Sequence, residues 1–484
     1  MSPAQTRQLS RLELTALVVG SMIGSGMFAL PAAFALRTGG HGAMIAWAIA
    51  GSGMLMLALV FQSLSRLKPE LDSGIYAYAR AGFGPYAGFL SAVGYWLGCC
   101  LADVACLILI KATLGHFFPA FGDGTTVLAI VSASLLLWGF HFLILRGIKE
   151  AALINTVATV AKLVPLGVFV FFLLLHFQPD VFIANLAGGS DGAPEPLWQQ
   201  VRGTLLVTVF VFVGIEGASV YSRHARRRED VGIATVAGFL GVLSLLVMVT
   251  LLSYGILPRA ELAALRTPSV AGVMEAMVGR WGVLFISVGL LVSVLGNYLS
   301  WSLLAAEVLH SAASHDAMPG QLAGENARGV PAAALWLTNG VIQLFLLVSW
   351  FAEYAFTLAL MMTSAMTLVP YLLVGAYQLK LSLGGEGASM RWVAALATLA
   401  FPLALRSLID GGLAQSDKGA QVMALALSGL GVIALLGPLL GAVVMFYLID
   451  IASGLTSAHL LVVGVALVVL VLFAPRGILG ALRD

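Results

Sequence analysis

The sequence predicts an all-α polytopic membrane protein in which two broken helices stand in equivalent places of an inverted five-plus-five repeat. Three observations carry this prediction. The 484-residue chain is 60% hydrophobic and only 10% charged, with a mean hydropathy of +0.99. Apolar runs of about 18 or more residues span a bilayer as helices. Glycines interrupt the first and the sixth of these runs, which lie five segments apart.

Apolar segments of spanning length recur along the whole chain, with short polar loops between them. They lie near residues 12–36, 43–65, 86–114, 127–145, 153–177, 201–222, 231–257, 283–313, 332–350, 354–379 and 392–408. The last apolar stretch, 422–473, fits either one tilted helix with an interfacial tail or two short spans divided near Asp450. We therefore predict about twelve transmembrane helices, with thirteen as the alternative.

These segments divide the chain into three parts. Residues 1–11 are a short polar N-terminus, residues 12–381 an inverted-repeat core, and residues 382–484 a C-terminal group of helices. Within the core, repeat one covers about 12–177 and repeat two about 201–381. The first apolar run is too long and too rich in glycine for a cleaved signal peptide.

The basic residues of the loops predict the orientation, because loops that stay in the cytoplasm are rich in Lys and Arg. A cytoplasmic N-terminus puts these residues on the cytoplasmic side: Arg66, Lys68, Arg80, Arg146, Lys149, Arg223, Arg226, Arg227, Arg228, Lys380 and Arg391. Three arginines, Arg259, Arg266 and Arg280, fall on the other side, against the rule. Twelve helices also keep Arg476 and Arg483 in the cytoplasm, which favours twelve over thirteen. The expected location is the inner (plasma) membrane.

The first break lies at residues 20–26, which hold three glycines and two serines. Glycine is about 1 kcal/mol less favourable than alanine inside a helix, and unwound backbone at membrane depth is tolerated where it lines a cavity. The second break surrounds Glu216, which Gly214 and Gly217 flank. Paired interruptions of this kind point to the binding site of a transporter. For the first break, close packing of small residues is the alternative.

Several motifs resemble a known superfamily. They lie at residues 20–31, 82–99, 216–232, 267–269, 300–307 and 330–340. The first three resemble helices one, three and six of the amino acid–polyamine–organocation superfamily. The others are similar to its basic amino acid antiporter branch, and to arginine/ornithine exchangers in particular, so that the resemblance covers about 12–381. The tail, at 437–442 and 468–478, instead resembles the end of permease subunits of branched-chain amino acid ABC importers.

The resemblance implies a five-plus-five inverted-repeat transporter fold and a secondary active transporter. Such a protein would exchange cationic amino acids, arginine for ornithine, by alternating access in the lipid bilayer, and a homodimer is left open. The sequence has no nucleotide-binding loop, metal-ligand cluster or nucleophile–base arrangement. We therefore predict no enzyme activity, no cofactor and no nucleic-acid partner. The alternatives are a proton-coupled importer of a basic or neutral amino acid, with Lys162 as proton site, and a non-transporting mosaic membrane protein.

Charge is costly inside a membrane span and is usually functional there, and four of the ionisable residues inside predicted spans are candidates for such a role. They are Asp103, Lys162, Glu216 and Glu307. Glu216 is the first candidate for coupling, because the resemblance gives the acid at this place the role of linking substrate occupancy to opening. The resemblance puts Lys162 where related carriers hold a sodium ion, joining helices one and eight to helix five. Neutralisation of Lys162 by Asp103 or Glu307 is the alternative.

Asp103 and Glu307 are expected to have different roles. The family commonly has asparagine in place of Asp103, where it contacts the cationic end of the substrate. A carboxylate there favours a basic substrate, because charge-assisted hydrogen bonds are about twice as strong as neutral ones. Pairing with a resident lysine is the competing account. Glu307 follows Trp301 by nearly two helical turns and is expected at a gate or in an ion pair at the helix end.

The first break is expected to hold the groups common to all amino acids. The N–H groups of Ser25 and Gly26 would bind the substrate carboxylate at the start of a half-helix, where the helix dipole is positive. The backbone carbonyls of Met22, Ile23 and Val213 would remain free for the substrate ammonium.

Aromatic and neutral side chains complete the predicted substrate site. The resemblance assigns Trp301 to stacking on the cationic end, a cation–π contact worth up to about 2 kcal/mol. Phe210 stands where family members often have tryptophan, which is a stronger partner for a cation. Cys99 and Asn297 are the remaining predicted substrate-binding residues.

Overall fold

The computed structural model describes residues 10–71, 74–146, 151–187, 196–217, 225–315, 317–351 and 355–398. Within these ranges the regular elements are all helices. The choice between twelve and thirteen helices and the resemblance of the tail depend on residues outside these ranges. The same holds for four of the basic residues used for orientation, Lys149, Arg223, Arg476 and Arg483.

The described helices follow the predicted apolar segments closely. They are α1 (Arg11–Met22), α2 (Leu30–Ala35), α3 (Gly40–Leu67), α4 (Ile75–Phe83), α5 (Pro85–Gly115), α6 (Val127–Leu145), α7 (Ala151–Leu175), α8 (Pro179–Leu186), α9 (Leu197–Phe210), α10 (Arg228–Ser253), α11 (Arg259–Ala264), α12 (Ser269–Val278), α13 (Arg280–Ser314), α14 (Ala332–Val348) and α15 (Ala355–Leu383). Residues 391–398 are also helical.

Seven helices of the described part are long and apolar enough to cross a membrane: α3, α5, α6, α10, α13, α14 and α15. Two bent pairs raise this number to nine if each pair is one span. One pair is α1 with residues 25–35, which meet at 49°, and the other is residues 162–175 with α8, which meet at 96°. The prediction of an all-helical polytopic membrane protein is confirmed, whereas the inverted repeat and the full helix count stay predictions.

Local sequence signals explain where several helices begin. Ser10 and Glu13 form a capping box at α1, in which the Glu13 carboxylate accepts the Ser10 N–H at 2.8 Å. Thr126 caps α6 by accepting the N–H of Ala129 at 3.2 Å. Pro85 occupies the first turn of α5, where its missing N–H costs nothing.

The first predicted break is a tight turn centred on Ile23. The Gly24 N–H donates to the Met22 carbonyl at 2.9 Å, and Ile23 has φ −75° and ψ 87°. These values describe an inverse γ-turn, which stops a helix within three residues. The chain then continues as a short 3₁₀ helix, Ser25–Ala29, and as α2.

The second predicted break follows α9, which ends at Phe210. Three consecutive turns close with hydrogen bonds between residues three apart, from Val213 N–H to Phe210, from Ile215 N–H to Phe212, and from Gly217 N–H to Gly214. This tighter winding interrupts the α-helix after Phe210, inside the predicted segment 201–222, and residues 218–224 lie outside the described ranges.

Helix α5 passes through the centre of the described part and packs against α13 and α15. Glycines make the approach of α15 close, because a Cβ atom on Gly94 would lie 2.9 Å from the Met366 carbonyl. On the other side α1 packs against α10, and Arg11 forms an ion pair with Asp230 at 2.7 Å. The two breaks are thereby brought beside the middle of α5 and α13.

Candidate functional site

The two breaks touch each other directly. The Ser21 hydroxyl, next to the first break, donates to the Gly214 carbonyl in the second at 2.7 Å. Gly214 has φ +107°, and a Cβ atom there would lie 2.7 Å from the Ser21 carbonyl carbon. Only glycine fits, because it alone adopts this φ without strain and has no side chain.

We expect Gly214→Ala to lower both thermal stability and transport. A non-glycine residue at this φ costs about 1–3 kcal/mol, and its methyl group would also push the two breaks apart. Melting followed by fluorescence-detected size exclusion measures the first effect, and uptake into proteoliposomes the second. Gly139→Ala in α6 is the matched control, since a Cβ atom there meets nothing within 4 Å. Equal melting temperatures for the two variants would contradict the expected strain.

A cavity lies between the two breaks, α5 and α13. Its walls are formed by Ser21, Met22, Gly24, Ser25, Ala102, Phe210, Val213, Asn297 and Trp301. The space between these atoms amounts to about 260 Å³, including space continuous with solvent, but only a small part of it is wide enough for a water molecule. In this conformation the walls leave room for about one water, so an amino acid would have to displace side chains.

Six predicted substrate-binding residues line this cavity: Met22, Ser25, Phe210, Val213, Asn297 and Trp301. Four others do not, and these are Ile23, Gly26, Cys99 and Asp103. One expectation is wrong as stated, because the Met22 carbonyl is not free but accepts the Gly24 N–H in the γ-turn.

Two aromatic side chains enclose the cavity. The Phe210 ring lies directly on Gly26, where a Cβ atom would approach it to 2.5 Å. Trp301 is buried in α13, and its ring centroid is 6.5 Å from that of Tyr95 on α5. Both rings would have to move to admit a larger molecule.

Glu216 is completely buried beside the second break and has several hydrogen-bond donors. Its carboxylate accepts the hydroxyls of Tyr95, on α5, and of Tyr371, on α15, the latter at 2.6 Å. The Gly214 N–H donates to the same carboxylate at 3.3 Å. The second break is thus joined to two neighbouring helices through one side chain.

Lys162 is buried in α7 and joins the first break to α13. Its ammonium donates to the Gly20 carbonyl at 2.5 Å and to Asn297 Oδ1 at 3.0 Å. Asn297 also faces Gly24, where a Cβ atom would lie 3.0 Å from its amide nitrogen. The alternative in which Asp103 neutralises Lys162 is wrong, because the two side chains form no ion pair within 4 Å. The partners of Lys162 are neutral oxygens instead.

Asp103 is fully buried between α5 and α13, behind the cavity wall. Its Oδ2 accepts the Ser302 hydroxyl at 2.7 Å, and its Oδ1 has no hydrogen-bond partner among the described residues. The neighbour Ala102 lines the cavity in its place. Glu307 lies further along α13, half-buried and outside the cavity wall.

Several residues of the site were not predicted from the sequence. Ser21 and Gly24 stand inside the first break and could have been included on that ground. Tyr95 lies two helical turns before Asp103, on much the same face of α5, so its spacing was a usable signal. Tyr371 and Ala102 gave no signal, because a tyrosine and an alanine in a membrane helix are ordinary packing residues.

Comparison with known proteins shows to which family the chain belongs. The profile of the amino acid permease family matches residues 9–401. An arginine/ornithine antiporter of Pseudomonas aeruginosa is 52% identical over 392 residues, which cover 80% of this chain and 81% of that protein. An L-lysine transport protein of Corynebacterium glutamicum is 43% identical over 385 residues, 79% and 77% of the two chains.

An arginine/agmatine antiporter of Chlamydia felis is 38% identical over 381 residues, which cover 78% of each chain. The family profile includes the whole region of the resemblance found from the motifs, about 12–381, and ends before most of the C-terminal tail. The profile and the relatives together confirm the resemblance. The chain belongs to the amino acid permease family, a family of transporters and not of enzymes.

Proposed function

We propose that the protein exchanges cationic amino acids across the membrane and that arginine and ornithine are its substrate pair. The observation that carries this proposal is the cavity at the junction of the two broken helices, bounded by Trp301 and backed by the buried carboxylate of Asp103. Relatives named as arginine/ornithine and arginine/agmatine antiporters and as a lysine transport protein support a basic substrate.

The carboxylate of the substrate would lie at the start of the 3₁₀ helix Ser25–Ala29. The first N–H groups of any helix lack acceptors inside it, and Ser25 is at the cavity wall. Gly26 belongs to the same turn and is covered by Phe210. A substrate that entered here would displace the Phe210 ring and gain these donors. The substrate ammonium would then face the backbone at Ile23 and Val213.

The cationic end of the substrate would lie toward α5 and α13. Trp301 offers it an aromatic face, and Asp103, one residue beyond Ala102, offers negative charge. Cys99 lies one turn before Asp103 on the same face of α5, so it would border this end of an enlarged cavity. This arrangement favours substrates that carry a carboxylate at one end and a positive charge at the other.

Coupling between binding and opening would run through the contacts of the second break. Ser21 lines the cavity and bonds to Gly214, and Gly214 bonds to Glu216. Glu216 in turn holds Tyr95 and Tyr371. A substrate that moves the first break would therefore act on α5 and α15, which suits the alternating access of two inverted repeats at about 12–177 and 201–381. Glu307 would act further along α13, at a gate.

Counterflow in proteoliposomes tests the exchange. Vesicles loaded with unlabelled arginine or ornithine are expected to accumulate external labelled arginine, whereas empty vesicles are not. A panel of lysine, histidine, agmatine and citrulline as internal substrates defines specificity. Uptake into empty vesicles driven by a pH gradient would instead establish a proton-coupled importer, and binding without any flux a non-transporting protein. The inner membrane and a cytoplasmic N-terminus are part of the proposal, and protease digestion of an N-terminal tag in right-side-out and inverted membrane vesicles from cells tests them.

A further inference from the structure

Two buried carboxyl groups near the cavity differ in the number of hydrogen bonds that they accept. Glu216 accepts from two tyrosine hydroxyls and one backbone N–H. Asp103 accepts from the Ser302 hydroxyl alone, and its Oδ1 is without a partner in the described part of the chain. An ionised carboxylate is an acceptor with about four sites. The surroundings therefore suit a charged Glu216 and a neutral, protonated Asp103.

The groups that face Asp103 do not supply a positive charge. On α5 they are the thiols of Cys99, Cys100 and Cys106, and on α13 the hydroxyls of Tyr298 and Ser302. The other described helices packed on α5 add no charged side chain that interacts with Asp103. Burying an unpaired carboxylate costs several kcal/mol, so without a cation nearby the carboxyl group keeps its proton.

A cation that enters the cavity would come close to this carboxyl group. On α13, Asn297 and Trp301 are one turn apart and line the cavity. The next residue after each of them, Tyr298 and Ser302, faces Asp103. On α5, Ala102 lines the cavity and Asp103 is the residue after it. Only the thickness of this wall separates Asp103 from a bound molecule, and charges interact strongly across such a low-dielectric layer.

We propose that Asp103 holds a proton while the cavity is empty and releases it when a cationic amino acid binds. In this step the carboxyl O–H bond breaks, its electron pair stays on the carboxylate, and the proton passes to water on the side to which the cavity is open. The ammonium or guanidinium group of the substrate supplies the compensating charge. The inference rests on the proposed cationic substrate and adds to it a proton that is exchanged for each positive charge bound.

Isothermal titration of the purified full-length protein in detergent measures this proton. Arginine is titrated at one pH in two buffers of different ionisation enthalpy, and the difference in binding heat gives the number of protons released. We expect release approaching one proton per arginine at acidic pH, with arginine affinity falling up to about tenfold for each unit that the pH is lowered. Asp103→Asn is expected to bind arginine more weakly and to release no proton.

Two further variants separate this role from a structural one. Ser302→Ala removes the single hydrogen-bond donor to Asp103, so Asp103 carries a proton in a larger fraction of the empty protein. Arginine must then displace this proton more often. It therefore binds more weakly, and the number of protons released per arginine rises toward one. Glu386→Gln, which changes an exposed carboxylate that pairs with Lys68 at 2.7 Å, is expected to release a proton on binding arginine as the wild type does. Release from Asp103→Asn equal to that of the wild type, or no release from the wild type, would overturn the proposal.

Infrared difference spectroscopy covers the case in which Asp103→Asn does not fold. The carbonyl band of a protonated carboxyl group should disappear from the spectrum of the wild type when arginine is added. In Ser302→Ala the band that disappears should lie at a different frequency, because the hydrogen bond from Ser302 is missing. An unchanged band would count against the proposal. Counterflow with the same preparations distinguishes failure of this inference from failure of the proposed function. Arginine exchange without proton release would contradict only the proton release from Asp103. Absence of both exchange and binding would contradict the proposed function.

Discussion

Glu216→Gln is expected to abolish amino acid exchange while the protein remains folded. Glutamine has nearly the same shape as glutamate, and its oxygen can still accept one tyrosine hydroxyl. Its NH₂ group, however, is a donor and cannot accept a hydrogen bond as the second carboxylate oxygen does, so at least one of the two tyrosine hydroxyls loses its acceptor. Hydrogen bonds to a charged group contribute about 1.5–3 kcal/mol each, which corresponds to a loss of exchange of about tenfold to a hundredfold for each bond.

Counterflow of labelled arginine measures this loss, and size exclusion reports whether the variant is folded. Tyr95→Phe and Tyr371→Phe each remove one donor and are expected to give intermediate rates. Glu386→Gln is the matched control, because this carboxylate is exposed and pairs with Lys68 at 2.7 Å, away from the cavity. Wild-type counterflow by Glu216→Gln would exclude a coupling role for this residue.

Lys162→Met should also stop exchange, through the first break instead of the second. Methionine keeps a long side chain but removes the ammonium, so the Gly20 carbonyl and the Asn297 amide oxygen lose their donor. An unsatisfied buried acceptor costs about 1–3 kcal/mol, and the joint between α1, α7 and α13 is lost. We expect counterflow to fall by more than about tenfold, with a lower melting temperature.

Lys111→Met is the control for this variant. Lys111 is the other buried lysine of the described part, near the end of α5, and its ammonium lies 6.0 Å from the centre of the Phe121 ring. No hydrogen bond or ion pair joins its ammonium to the described residues of either break, so its loss should leave exchange intact. Methylammonium added to a Lys162→Ala variant should restore part of the exchange, because a small cation fits between the two oxygens. If Lys162→Met exchanged arginine normally, the ammonium would have no part in transport.

Much of the fold could be predicted because each apolar run reports its own helix. The break at residues 20–26 was recognisable from its glycines alone, and Gly214 together with Gly217 marked the second. The details of the turns could not be predicted in this way. That the Met22 carbonyl is used by Gly24 depends on the backbone angles of Ile23, which many sequences allow.

The candidate site was predictable where a residue is unusual for a membrane helix. Glu216 and Lys162 were chosen because charge is costly there, and both have several buried partners. The partners themselves were harder to foresee, since Tyr95 and Tyr371 reach Glu216 from helices that are distant in the sequence. Asp103 shows a different limit: one position on α5 decides whether a side chain faces the cavity or the neighbouring helix, and sequence spacing alone does not resolve it.

The narrow cavity bears on the leakage of protons and small ions across the membrane. A continuous file of water molecules would conduct protons and let small ions leak, and it would dissipate the gradients that a secondary transporter uses. With Phe210 lying on Gly26 and Trp301 buried in the wall, there is room for about one water. Under the proposed function, the aromatic side chains that would move aside for a substrate would also seal the cavity while none is bound.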